Sequence, residues 1–367
     1  MAKRQEQEDA RTEVTELAPG VLRMELPISM PGLGHVNCYA LIDGEGAAVV
    51  DPGLPGPASW KALKARLKQA DLRVKNIHTV IVSHSHPDHF GGAMRIAKES
   101  GAQIVAHNEF RFGPISPAPE EPEVSVDDLT AQQESLEESA VERPAEAPPT
   151  IGFSRAFKRR TTPWGGEGPR PPFKTLLKWS AMRWIGSVPI VPQVSKAVKE
   201  GEVLKLAGRE FFVVHTPGHT EDHICLHDPA DGLFLAGDHV LPTITPHISG
   251  LTHSPDPLAD FFESLDRVAE IAHVNQVLPA HGHPFADLAT RCQEIKQHHY
   301  ERLEKVRSIA RELGPSKVEA FSQRLFKPRS WGAMADSETY AHLEHLRLLG
   351  HAERGADGNG HYVYSAG

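Results

Sequence analysis

Cysteine is scarce in this 367-residue chain: Cys38, Cys225 and Cys292 stand alone and far apart. That excludes a disulfide framework and a CxxC metal site, and leaves small buried residues as their expected role. Long apolar runs are missing too. Nothing approaches 18 apolar residues in a row, so no transmembrane segment is expected. The opening Met1-Ala2-Lys3-Arg4-Gln5-Glu6 lacks the apolar core of a secretory leader, and residues 1–14 read as a charged, frayed end; a cytoplasmic location is the expectation. Positive charge is short: 39 Lys+Arg against 48 Asp+Glu give a formal net charge of −9. This argues against broad nucleic-acid affinity while leaving room for a local basic groove. The remainder, 40% hydrophobic and 24% charged, fits a globular chain long enough for two domains.

What the chain does have is histidine, 22 in all, and it is patterned. The apolar stretch Thr79-Val80-Ile81-Val82 reads as a buried strand and runs into Ser83-His84-Ser85-His86-Pro87-Asp88-His89. Three histidines and an aspartate at a strand end make a poor core and a good metal cradle, because imidazole and carboxylate suit zinc and related divalent ions. Alternate residues at a strand end share a side, so His84, His86 and Asp88 are expected to converge, with His89 swinging in as the chain turns. The blander reading is a solvated histidine-rich loop. Three further strand ends weigh against it: His215-Thr216-Pro217-Gly218-His219-Thr220 after Phe211-Phe212-Val213-Val214, Asp238 after Leu233-Phe234-Leu235-Ala236-Gly237, and His281 after Gln276-Val277-Leu278-Pro279-Ala280. Open sheets place their sites at such ends.

These motifs resemble the metallo-β-lactamase superfamily: HxHxDH at 84–89, PGHT at 217–220, GD at 237–238 and AHG at 280–282, preceded by His35-Val36-Asn37-Cys38-Tyr39 and Asp51-Pro52-Gly53. The likeness runs over residues 15–290 and implies an α/β fold, the four-layer αββα sandwich. It also implies two divalent metal ions, zinc by default with manganese or iron admitted. His84, His86 and His219 would bind the first, Asp88, His89 and His281 the second, and Asp238 would bridge them. A hydroxide between ions roughly 3.5–4 Å apart would be the nucleophile, with Asp88 and Asp238 orienting it and carrying a proton. Asp51 would fix a ligand imidazole from behind. His215, beside a ligand, reads as packed rather than metal-bound. His239 and His247 are candidates for substrate contact, weighed evenly against surface or supporting roles. No Ser–His–Asp or Cys–His apparatus has convincing context.

An irregular insertion occupies residues 110–200. Its acidic part, 117–149, reads as disordered. Residues 155–183 reverse the sign, with Arg159, Arg160 and neighbouring cations among Trp164, Phe173, Trp179 and Trp184. This stretch fits either a lid over the active site or a surface for RNA, an anionic cofactor or a membrane. Residues 295–367 read as a second unit: a helix over 301–313, a helix to Leu325 opened by a Ser316/Glu319 capping box, a helix over 337–349, and two strands flanking a turn. Three helices and a hairpin suggest a winged-helix domain. Such a tail resembles the lactamase-like branch that includes a mitochondrial endoribonuclease and many bacterial hydrolases.

The leading expectation is a hydrolase acting on a small-molecule acyl substrate, a thioester, lactone or related ester; the HTPGHT run resembles glyoxalase II, which favours thioesters. The missing leader speaks against dedicated antibiotic hydrolysis. A phosphodiesterase or endoribonuclease acting on RNA is the alternative. A DNA-binding regulator is disfavoured, since residues 337–349 carry one arginine, Arg347, beside Glu338 and Glu344. A homo-oligomer stays open.

Overall fold

The computed structural model describes residues 3–30, 32–112, 162–165 and 190–367. The acidic stretch 117–149 and all of the basic, aromatic stretch 155–183 except 162–165 lie outside the described residues.

Two sheets form the middle of the molecule. In the first, β1 (Val14–Ala18), β2 (Val21–Met30), β3 (Leu33–Ile42) and β4 (Ala47–Val50) run antiparallel, and β5 (Ile77–Ile81), β6 (Gln103–His107) and β7 (Lys196–Val198) then add in parallel. The second has β8 (Val203–Leu206), β9 (Arg209–His215), β10 (Ile224–Asp228), β11 (Leu233–Gly237) and β12 (Gln276–Pro279) in spatial order, with only β11 and β12 parallel. All four residues of β4 are buried, the pattern of a strand covered on both faces. Tyr39, Ile81, Val105, Phe211, Val213 and Leu235 pack between the sheets.

Helices cover the outer faces. On the first sheet, α1 (Pro57–Gln69), α2 (Pro87–Phe90) and α3 (Ala93–Ser100) set Trp60, Leu63, Phe90 and Ile96 against Met24, Cys38 and Val80. On the second, α4 (Pro257–Ala269) and α5 (Leu288–Leu313) set Phe261, Leu265 and Ile295 against Cys225, Phe234 and Val277. This is the expected αββα sandwich. All three cysteines are free and buried. No helix among the described residues is long and apolar enough to cross a membrane.

Beyond α5 come α6 (Val318–Leu325), α7 (Ala333–Leu348) and a small sheet in which β13 (Ser316–Lys317) and β14 (Ala352–Ala356) flank β15 (Tyr362–Ala366). Their apolar residues join the core under the second sheet: Leu303, Phe321, Leu343 and Tyr364 cluster with Phe234 and Val277.

Several local expectations need correction. The helix anticipated at 301 begins at Leu288, where the Asp287 side chain accepts from the Thr290 N–H at 3.1 Å. Leu288, Cys292, Ile295 and a buried His299 extend its apolar stripe upstream, and the histidine disguises it. The Ser316/Glu319 capping box does not form, because Ser316 pairs with Tyr364 as a strand residue. Nor do the described residues from 3 onward form a frayed end. Residues Gln5–Gln7 form a 3₁₀ turn, and the Glu6 side chain is fully buried, accepting from the Thr243 and Ile244 N–H groups at 2.7 and 3.1 Å. Trp164 packs on Tyr340, with ring centroids 5.3 Å apart, and its carbonyl accepts from Tyr362 N–H, so this residue joins the C-terminal helices and does not cover the active site.

Candidate metal centre

The four expected strand ends meet at one edge of the sandwich. His84 and His86 follow β5 in extended chain, whereas Asp88 and His89 sit on the single turn of α2, opened by Pro87 at its first position. The alternation expected of a strand therefore holds only for the first pair. A helical turn turns Asp88 and His89 to a different side, and this divides the motif into two groups of ligand atoms. His84, His86, His219 and Asp238 form one; Asp88, His89 and His281 form the other.

In the first group, His86 Nδ1 lies 2.9 Å from His84 Nε2 and 3.1 Å from His219 Nε2. Asp238 stands between the groups: its Oδ2 is 3.6 Å from both His219 Nε2 and His89 Nε2, and its Oδ1 is 3.3 Å from His281 Nε2. Asp88 Oδ2 lies 3.6 Å from His89 Nε2 and 3.5 Å from His281 Nε2. A tetrahedral ion with bonds of about 2.0–2.1 Å has ligand–ligand edges of about 3.3–3.4 Å, so these spacings suit direct coordination.

The outward nitrogens are already engaged. His89 Nδ1 donates to Asp51 Oδ2 at 2.9 Å, His219 Nδ1 to the His247 carbonyl at 2.7 Å, and His281 Nδ1 to the His35 carbonyl at 2.6 Å. Each bond leaves Nε2 as the inward lone pair. Three inward atoms, His89 Nε2, His281 Nε2 and Asp238 Oδ1, are buried with no hydrogen-bond partner. Such atoms are costly unless something binds them. The residues therefore fit divalent cations.

The electrostatics agree. Burial, reinforced by the neighbouring rings, holds His84 and His86 well below the usual histidine range, so they are neutral donors. Burial opposes protonation of His89 as well, yet Asp88, Asp238 and Asp51 together push it well up. Burial would raise the Asp238 carboxyl, but His281 and His89 hold it well below its ordinary value. The second group thus sits in a negative field that attracts a cation.

Glycine makes two of these placements. Gly218 has φ +132°, and a Cβ there would lie 2.4 Å from Phe261 Cβ; the turn presenting His219 passes flush against α4. Gly237 has φ +51°, and its Cβ would meet the His223 ring at 2.5 Å. His223 accepts from the Asp238 N–H at 3.0 Å and bonds Thr216 Oγ1 at 2.7 Å, which fixes the backbone of the shared aspartate. Asp51, at φ +53°, also accepts from Ser83 N–H and Oγ–H, tying β4 to the start of the histidine run. Asn37 and Tyr39 donate to carbonyls of Pro279 and Gly282, clamping the turn that carries His281.

A model of the metallo-beta-lactamase superfamily matches residues 31–281. The chain belongs to this superfamily. A metallo-beta-lactamase family protein of Thermus thermophilus has a TM-score of 0.70 at 28% identity, over 96% of this chain and 100% of that one. The probable metallo-hydrolase YqjP of Bacillus subtilis is 24% identical over 89% of this chain and 91% of its own. Shorter matches join a hydroxyacylglutathione hydrolase of Maricaulis maris, 33% identical over 25% of this chain and 34% of its own, and an acyl-coenzyme A thioesterase of Gallus gallus, 35% identical over 26% and 35%. The chain spans about a third of the length of these last two. With its His/Asp groups it is a hydrolase of the superfamily equipped for divalent metal ions.

Of the remaining candidates, His247 supports His219 through its carbonyl, and its ring bonds Glu338 at 3.2 Å. His239 is fully buried edge-on to Phe261, centroids 5.2 Å apart, outside both ligand groups. His215 stacks on His107 at 3.9 Å and donates from Nε2 to the Glu221 carbonyl. Sequence reasoning missed the supporting shell: Glu6, Glu8, His35 and the role of His223. Glu8 accepts from His35 Nδ1 through its carbonyl, and His35 in turn holds His281. Only the His35-Val36-Asn37-Cys38-Tyr39 run hinted at it.

Proposed function

We propose that the protein hydrolyses thioesters of small acyl groups, with His84, His86 and His219 holding one zinc ion, Asp88, His89 and His281 a second, and Asp238 shared between them. The single observation that carries the metal part is the set of inward-facing, partnerless atoms on His89, His281 and Asp238, with the outer nitrogens of the two histidines locked by Asp51 and the His35 carbonyl. When bound, such ions supply Lewis acidity and bring the pKa of water toward ~7. The chain's own residues do the rest. Asp88 and Asp238 orient the attacking water and accept its proton. Burial of the site excludes bulk solvent and strengthens these interactions. In the overall reaction a C–O bond to water oxygen forms, the C–S bond breaks, and the thiol leaves with a proton.

The choice of thioester is supported by the HTPGHT run at 215–220 and by the names of two relatives, a hydroxyacylglutathione hydrolase and an acyl-coenzyme A thioesterase. The C-terminal three helices and three-stranded sheet support a winged-helix reading, with an assembly or packing role since its core is continuous with the sandwich. The test is metal analysis of the purified protein joined to a panel of thioesters, lactones, phosphodiesters and short RNA. Two metal equivalents with thioester turnover are expected. Cleavage of RNA alone would move the reading to an endoribonuclease.

A further inference from the structure

Beside the metal centre lies a cavity that the hydrolytic chemistry does not use. It has a volume of about 410 Å³ and lies between the loop 243–247, the N-terminal segment and helices α5 and α7. Its walls hold three arginines, Arg4, Arg291 and Arg302, against two acids, Glu294 and Glu338. Three minus two leaves one positive charge, in a chain whose net charge is −9.

The charges divide unequally. Arg291 is consumed by structure: it donates to the Leu241 and Ile244 carbonyls at 2.7 and 2.9 Å and pairs with Glu294 at 2.7 Å. Arg302 pairs with Glu338, lies 3.0 Å from His298 Nε2, and rests over Phe326; its side chain keeps 19% exposure. Arg4, exposed on the N-terminal segment, has no acidic partner among the described residues. Two guanidinium groups thus line a concave space, one of them unmatched. Guanidinium is the group that grips carboxylate or phosphate through paired N–H donors. His247 links this space to the reaction. Its carbonyl holds His219, and its ring forms part of the cavity wall.

We propose that this cavity is a subsite for an anionic group, carboxylate or phosphate, carried by the substrate at a distance from its scissile bond. The inference rests on the thioester reading and deepens it. Arg4 and Arg302 hold the oxyanion while the acyl carbon lies on the metal side of His247. The chain selects substrates by charge at the remote end, where neither metal group reaches.

The experiment uses one acyl group on three thiols: N-acetylcysteamine, which is neutral, glutathione, which brings carboxylates, and coenzyme A, which brings phosphates. Arg4→Gln is compared with wild type, and Arg302→Lys, which keeps the charge opposite Glu338 but loses the planar fork, gives a second variant that should fold. Each is expected to raise KM for at least one anionic thioester about tenfold, with kcat unchanged and the neutral thioester unaffected. Whether the glutathione or the coenzyme A series responds identifies the anion. An unchanged ratio of anionic to neutral KM in both variants overturns the subsite. Calorimetric binding of S-methylglutathione and of coenzyme A to the metal-loaded protein separates the two readings. If wild type turns over no thioester yet binds a probe that Arg4→Gln loses, the thioester reading falls and the subsite stands. If wild type binds neither probe, the subsite falls.

Discussion

Two clusters of buried histidines occupy this molecule, and they have opposite fates. At the sandwich edge, His84, His86, His89, His219 and His281 point their free nitrogens at common centres beside Asp88 and Asp238. Under the C-terminal helices, His299 and His342 face one another at 3.1 Å, and His342 Nδ1 donates to the Glu338 carbonyl at 2.7 Å. That bond makes His342 Nε2 the acceptor and His299 Nδ1 the donor. Burial keeps both rings well below the usual histidine range, with Arg302 adding to it. The difference lies in the company. Carboxylates at 3.3–3.6 Å from His89 and His281 make a place for cations. Histidine beside histidine and arginine makes a neutral hydrogen-bonded core. Burial of imidazole is common to both; the acids decide which cluster does chemistry.

Removing the shared acid should break the comparison most. Asp238→Ala leaves two imidazole groups with nothing between them, and we expect turnover to fall by on the order of 10³, the scale of losing a preorganised charge at a reacting centre. Metal analysis should find fewer equivalents; full activity would remove Asp238 from the mechanism. Asp51→Ala keeps every inward ligand but frees His89 Nδ1, and metal affinity by chelator competition should weaken about 10–100-fold. The N-terminal brace comes next. Glu6→Ala strands the Thr243 and Ile244 N–H groups, and denaturant unfolding should register a loss of about 1–3 kcal/mol. The same change should hasten metal release, since loop 243–247 carries the carbonyl that orients His219.

The smallest effect sharpens the second cluster. The folded-state pKa values of His299 and His342 lie below the unfolded value of about 6.5. As pH falls through that value the unfolded chain takes up protons that the folded chain excludes, so stability declines, by at most about 1.4 kcal/mol per histidine per pH unit. His299→Leu combined with His342→Leu should make the decline of unfolding free energy between pH 6.5 and 5.5 shallower while leaving metal content unchanged. An acid slope unchanged by the double substitution would place the sensitivity elsewhere.

Local pattern alone determined a good deal here. The apolar runs before Ser83, His215, Asp238 and His281 read as strands because branched and aromatic residues fill a buried sheet, and those runs carried the ligand candidates to their ends. A layered α/β fold follows from strands and amphipathic helices taken together, and the αββα order from the resemblance to the superfamily. What needed tertiary structure is everything made by segments distant in sequence. The resemblance already split HxHxDH between two sites; only the fold shows that a helical turn after Pro87 makes the split, that Glu6 and Glu8 reach segments far along the chain, or that His239 points into the core. Pattern reports which residues are apolar and at what period. Which nitrogen of an imidazole is left free, and which carboxylate stands beside it, depends on contacts between remote stretches of sequence, and those exist only once the chain has folded.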